Sequence, residues 1–137
     1  MKTAAIDIGL KRIGIALNLQ SDIVLPQNAI IRKNRNQAAK EVSEFLKEWK
    51  IDKLIVGIPK SGKSADEMTL RIKHFVSLLS FDKEIEYYDE YGSSLEAKEM
   101  IKGEIKQKRD GRIDSLAAKI ILERWLFKNG VGDRVGF

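Results

Sequence analysis

Three acidic residues of this chain occupy places where an acid needs a reason. Asp7 falls inside the apolar run Thr3–Ile8 (TAAIDI), where an isolated carboxylate is costly to bury. Glu90 follows Asp89 at the end of the run Glu84–Tyr88 (EIEYY), and Asp114 opens the apolar stretch IDSLAAKIILERWL. Each has an ordinary alternative. Asp7 would serve the turn at Gly9, Asp89 and Glu90 would form a solvated acidic turn, and Asp114 would complement a helix dipole. Brought to one point, however, three like charges would not all stay ionised without a cation to compensate them. The chain has no cysteine, and its one histidine, His74, lies a step off a helical apolar face and is assigned no role. Oxygen-only donors of this kind suit hard Mg²⁺ or Mn²⁺ rather than zinc.

The elements that must carry these acids follow from periodicity. Thr3–Ile8 and Ile13–Asn18 read as strands joined by a tight antiparallel hairpin through Gly9. A third strand is expected within Ile23–Arg32, and Pro26 assigns it to an edge of the sheet. From Asn36 to Lys50 the pattern turns helical, with Ala38, Val42, Phe45, Leu46 and Trp49 on one face. Lys53–Ile58 (KLIVGI) reads as a buried strand. Past the loop Pro59–Asp66, a second helix should present Met68, Ile72, Phe75, Val76 and Leu79. After the strand Glu84–Tyr88, Ser93 and Glu96 have the spacing of a capping box for a third helix. A last helix spans Ile113–Lys128 and stops at Asn129-Gly130. The order βββαβαβαα predicts an α/β fold. Its mixed five-stranded sheet would have three antiparallel strands, then parallel βαβ crossovers, with helices on both faces. Residues 1–137 are expected to form one domain.

Composition narrows the function. At 137 residues, 43% apolar and 33% charged, the chain reads as a soluble globular protein. No apolar run approaches the roughly 20 residues that span a bilayer, so no membrane role is expected. The start MKTAAIDIGLKRIG lacks the continuous apolar stretch of a signal peptide. With no cysteine, the expected location is the cytoplasm. A formal charge of +5 and a pI near 9.4 favour polyanionic partners through counterion release. Lys11, Arg12, Lys60, Lys63, Arg71 and Arg112 are candidate phosphate contacts, which fix register without reading bases. A basic run from Lys102 to Arg112 precedes Asp114 and would be a substrate clamp or a solvated connection. An aromatic content of 7% gives little support to a stacking platform for single strands.

Four ordered blocks, AIDIGLKRIGIA, IVGIP with its glycine-containing loop, YYDEYGSSLEA and IDSLAAKIILERWL, resemble those of the YqgF/RuvX family. They run from near Asp7 to Leu126, almost the whole chain. The resemblance implies a ribonuclease H-like fold and a nuclease related to Holliday-junction resolvases. It further implies a role in maturing the 5′ end of the small-subunit (pre-16S) ribosomal RNA precursor, with junction resolution in some members. The family's catalytic acids correspond to Asp7, Glu90 and Asp114. The sequence departs from the family pattern at Tyr91, where the family has Arg, and at Gly92, where it has Leu. The implied chemistry is two-metal hydrolysis, with two Mg²⁺ or Mn²⁺ ions roughly 3.5–4 Å apart. Asp7 would be their shared ligand, with Glu90 and Asp114 completing the coordination. The substrate would be RNA or branched DNA, with endonucleolytic and exonucleolytic cleavage both open. Cutting a symmetric junction twice would favour a homodimer.

Two other readings compete. Gly57-Ile58-Pro59-Lys60-Ser61-Gly62-Lys63-Ser64 matches the P-loop pattern of an NTPase, after a strand and before a helix. Against it, Pro59 removes one of the N–H groups such a loop presents to phosphates, and three strands precede the motif. The other is a nucleic-acid-binding module of the same fold that does not cut. Tyr91 in place of the family's arginine keeps it open.

Overall fold

The computed structural model describes residues 1–20, 23–59, 65–89 and 115–129. Thr3–Ile8 (β1) and Arg12–Asn18 (β2) form the antiparallel hairpin, with Ile6 opposite Ile15 and Asp7 opposite Gly14. The third stretch is not one strand but two short ones, Leu25–Pro26 (β3) and Ile30–Ile31 (β4), both antiparallel on the outer edge of β2. After helix Arg35–Glu48 (α1), Lys53–Ile58 (β5) lies parallel to β1. Helix Ala65–Ser77 (α2) leads to Glu84–Asp89 (β6), which is parallel to β5. The six-stranded sheet runs β3-β2-β1-β5-β6, with β4 also on β2, so Asp7 sits on the middle strand. The last described helix, Leu116–Lys128 (α3), packs on this sheet. The helix expected from Ser93 lies outside the described residues.

The split of the edge strand has a local cause. Pro26, opposite Ala16, offers no N–H to the ladder. The Gln27 amide still donates to the Ile15 carbonyl, at 2.8 Å. The register then slips. Gly14 and Ile15 on β2 face Gln27, Asn28 and Ala29 before pairing resumes at Ile13 and Ile30. Three residues against two make a β-bulge, which leaves an amide of the regular strand without its ladder acceptor.

Strand alternation sorts the core into two layers. Ala4, Ile6 and Ile8 join Ile13, Ile15, Leu17, Leu54 and Val56 under α1 and α2. Ala5, Ala16 and Ile55 face α3 through Ile121, Leu122 and Trp125. The first helix begins at a capping box, Asn34 Oδ1 accepting from the Gln37 amide at 2.7 Å and Gln37 Oε1 from the Asn34 amide. Val42 and Leu46 on its inner face are buried as expected, whereas Trp49 is left partly exposed. On α2 the buried face begins at Ala65, and Met68, expected inside, is 38% exposed. Among the described residues no helix is long and apolar enough to cross a membrane.

A polar latch holds the far end of α3. Trp125 Nε1 donates to Glu86 Oε2 at 2.6 Å, while Lys53 Nζ lies 2.9 Å from Glu86 Oε1 and 2.8 Å from Glu84. The same ammonium sits 4.9 Å from the centre of the Trp125 ring. Burial opposes the charge of Glu86, but the hydrogen bonds from Lys53 and Trp125 outweigh it and hold the carboxyl below its ordinary range. Hydrogen bonding to Glu84 pulls the Lys53 ammonium up, against the opposing effect of burial.

The depressed carboxyl contributes stability above its unfolded pKa and loses it as pH falls through the folded one. The raised ammonium contributes below its unfolded pKa and loses it as pH rises through the folded value. The latch is therefore at full strength across neutral pH. Glu86→Gln is expected to lower the denaturation midpoint at neutral pH, with a deficit that shrinks on acidification below the carboxylate range. Urea titrations across that range check this, and a deficit independent of pH would contradict it.

Candidate active site

Asp7 is half-buried in β1, near the edge where the parallel strands β1, β5 and β6 reach their carboxyl ends. Ligands and reacting groups gather at this edge in sheets with helical crossovers. Alternation puts Asp7 on the same face as Ala5, the face covered by α3. Its partner across β2 is Gly14, and one step beyond the ladder pair Ile6–Val56 it stands level with Gly57 on β5. Neither neighbour has a side chain. Within its own row, therefore, no side chain flanks the carboxylate on β2 or β5, and Tyr88, opposite Gly57, completes the row on β6.

The turn after Asp7 is built to one geometry. The Gly9 amide donates to the Arg12 carbonyl at 3.0 Å. A Cβ at Gly9 would stand 2.6 Å from that carbonyl oxygen, so only glycine closes the turn without displacing backbone. Just past β4, Arg32 ties the turn twice. Its Nη1 donates to the Gly9 carbonyl at 2.9 Å and its amide donates to the Lys11 carbonyl at 2.8 Å. The guanidinium carbon also lies 5.5 Å from the centre of the Phe75 ring, which fixes the arginine against α2. Lys11 on this turn and Arg12 at the start of β2, both expected as phosphate contacts, are exposed.

The start of α3 is set by one buried contact. Ser115 is fully buried and, although it is the N-cap residue, its side chain makes no capping bond to its own helix. Its Oγ accepts instead from the Ile15 amide, at 3.0 Å. That is the amide the bulge leaves without a ladder acceptor, and Ile15 is the residue after Gly14, Asp7's partner. A hydroxyl from a segment 100 residues away thus replaces a backbone carbonyl and anchors α3 one residue from the position facing Asp7.

Of the residues expected to form the site, Asp7, Lys11 and Arg12 share the β1–β2 hairpin. Arg71 lies elsewhere, on α2 in the layer across the sheet, where its Nη2 is 2.7 Å from Glu67 Oε1. Glu90, Asp114, Lys60, Lys63 and Arg112 fall outside the described residues, as do Tyr91 and most of the P-loop-like segment. Gly57 and Ile58 of that segment are strand residues, paired with Tyr88 and Asp89. Among the described residues no group of three or more His, Cys, Asp or Glu gathers to hold a metal. An open groove of about 760 Å³ with Leu46, Lys50, Ile51, Phe81 and Lys83 in its wall lies at the opposite edge, where β5 and β6 begin. Ser115 and Arg32 were missed by sequence reasoning. A serine at a helix start reads as a cap, and nothing local marks Arg32 as a partner of Gly9.

Comparison with known proteins agrees with this architecture. The family model RuvX, described as Holliday junction resolvase, matches residues 1–128. A Sulfurovum sp. (strain NBC37-1) protein named "Putative pre-16S rRNA nuclease" is 64% identical over 126 residues, covering 92% of this chain and 98% of the relative. A protein of the same name from Sulfurimonas denitrificans is 55% identical, covering 92% and 97%. Among solved structures, T. thermophilus RuvC in complex with a Holliday junction substrate superposes with a TM-score of 0.59 at 15% identity. The match covers 96% of this chain and 98% of that one. The Fowlpox virus Holliday junction resolvase gives 0.51 at 15% identity, covering 93% and 99%. The structural matches establish a RuvC-like, ribonuclease H-like fold, and at this sequence similarity the chain belongs to the RuvX family.

Proposed function

We propose that this chain is a divalent-cation-dependent nuclease that acts on the precursor of 16S ribosomal RNA, with Asp7, Glu90 and Asp114 as the cation's ligands. The names of its relatives and the family description support cleavage of nucleic acid. The observation that carries the assignment of residues is the Ser115–Ile15 hydrogen bond, because it fixes the residue next to Asp114 beside the strand pair that holds Asp7. Asp114 is the residue before Ser115 in sequence, which supports counting it with Asp7. Glu90 is the next residue in sequence after β6, on which Glu86 and Tyr88 share one face. That is the face of Asp7.

The donor chemistry fits the proposed cation. Asp7 offers carboxylate oxygens between two positions without side chains, and neither cysteine nor histidine competes. When bound, Mg²⁺ or Mn²⁺, as a pair in the two-metal form, supplies an activated water and neutralises charge on the phosphoryl group. The chain's own part is to hold Asp7 in a fixed place on the middle strand. Lys11 and Arg12, on the turn beyond, offer cations to the backbone phosphates of a substrate lying across this edge. The family description favours a second substrate, branched DNA, for the same chemistry, and a dimer would suit its two-fold symmetry.

A cleavage panel separates these readings. It sets a 16S precursor fragment carrying the 5′ leader against a four-way DNA junction, each with Mg²⁺ or Mn²⁺ and with chelator. Metal-dependent cleavage of the RNA is expected, reduced by at least about a hundredfold in Asp7→Asn, since the charge stabilisation at stake is several kcal/mol. Cleavage of the junction alone would transfer the assignment to DNA. Binding without cleavage of either would leave a binding module, and cleavage unchanged in Asp7→Asn would remove Asp7 from the chemistry. Ser115→Ala is expected to cost about 1–3 kcal/mol in denaturant unfolding, because the buried Ile15 amide loses its acceptor. Cleavage should fall with it under conditions where the variant remains folded, and unchanged stability and turnover would contradict the anchoring role.

A further inference from the structure

Leu10 is the most exposed large apolar residue among those described, 75% accessible, and it stands at the tip of the turn that follows the Asp7 strand. A scattered surface leucine needs no explanation in general. This one differs in how its backbone is held. Gly9 and Lys11, on either side of it, are both tied down by Arg32, and the Gly9–Arg12 hydrogen bond closes the turn beneath it. Arg32 is in turn stacked against Phe75 of α2, so the turn is fixed to the helical layer behind the sheet. Ile31, across the ladder from Arg12, adds a second exposed apolar side chain, 63% accessible, at the same margin. The surroundings are cationic, with Lys11 and Arg12 next in sequence.

A rigid apolar tip flanked by cations suits a partner with a charged backbone and flat apolar faces inside, which describes a nucleic acid. We propose that Leu10 is a wedge that inserts against a nucleobase at a break in base stacking, and so sets the preference of the Asp7 site for discontinuous helices. The proposal rests on the nuclease reading above, since a strand presented to Asp7 must pass this turn. Apolar wedges in other nucleic-acid-binding proteins enter between base steps and unstack them. Within an intact duplex a base is stacked on both sides and resists displacement, whereas a base at a branch point or internal loop is held by less stacking and is displaced at lower cost. Selectivity then follows from the state of the helix rather than its sequence. The cations hold the phosphates, which carry no such information.

The test reads base unstacking directly and does not need cleavage. The base analogue 2-aminopurine is placed at the branch point of a four-way DNA junction, in the internal loop of an RNA stem, and within a continuous DNA duplex of matching sequence. Each probe is titrated with protein carrying Asp7→Asn, so that the probe stays intact. Fluorescence should rise on binding to the junction or the RNA loop, and whichever responds identifies the source of the discontinuity. Adding Leu10→Ser should abolish the rise and reduce the preference for that probe over the duplex by about tenfold, the scale of burying one aliphatic side chain. Leu10→Met should restore both. An unchanged rise and preference with Leu10→Ser would overturn the wedge, as would the absence of any rise with Leu10 in place. Failure of the nuclease reading would appear separately, as absence of metal-dependent cleavage by the wild-type chain.

Discussion

The amide of Ile15 has no ladder acceptor, because the edge strand beside it carries one residue too many between Pro26 and Ile30. Left bare in the interior, such a group would cost about as much as a lost hydrogen bond. The Ser115 hydroxyl at 3.0 Å removes that cost and, in doing so, fixes where α3 begins. The helix otherwise meets the sheet through Ala5, Ala16 and Ile55, an apolar contact that is not directional and would resist sliding weakly. Its other end is latched by Trp125 to Glu86, and Lys53 braces the latch. Two polar contacts at opposite ends of α3 thus convert a greasy interface into a defined one.

The layer on the other face contributes in the same way. Phe75 belongs to the core under α1 and α2, yet its ring carries Arg32, whose guanidinium holds the Gly9 carbonyl. The segment around Asp7 is therefore braced from both layers, through Arg32 on one side and through the Ser115-anchored β2 on the other. The ligand role proposed for the Asp7 carboxylate calls for such bracing. Its strand is central, its row neighbours Gly14 and Gly57 carry no side chain, and the turn beyond it tolerates no Cβ at Gly9.

Much of this was legible in local sequence. The strands Thr3–Ile8 and Lys53–Ile58 fall where their apolar runs fall, because burial on both faces leaves a nearly unbroken hydrophobic signal. Asp7 stood out for the same reason, an acid in such a run. Pro26 marked an edge strand but not the bulge, which depends on the register taken up again at Ile30. Met68 carried helical periodicity yet lies at the margin of α2, since its burial depends on what packs opposite and not on its own spacing. The contacts that organise the site were invisible for a related reason. Ser115 meets Ile15 across 100 residues and Arg32 meets Gly9 across 23, so no window of sequence contains both partners. Family resemblance had already assigned the acids, while these supports came only from the fold.

The carboxylate site is tested most directly by cation binding itself, free of any choice of substrate. Mn²⁺ is titrated into the wild-type chain and into Asp7→Asn, and the free ion is followed by its paramagnetic resonance signal. Saturable binding by the wild-type chain that is lost or weakened by at least about tenfold in the variant is expected, as removal of a charged ligand from an oxygen-donor site requires. Equal binding by the two proteins would contradict the place given to Asp7 at the centre of the site.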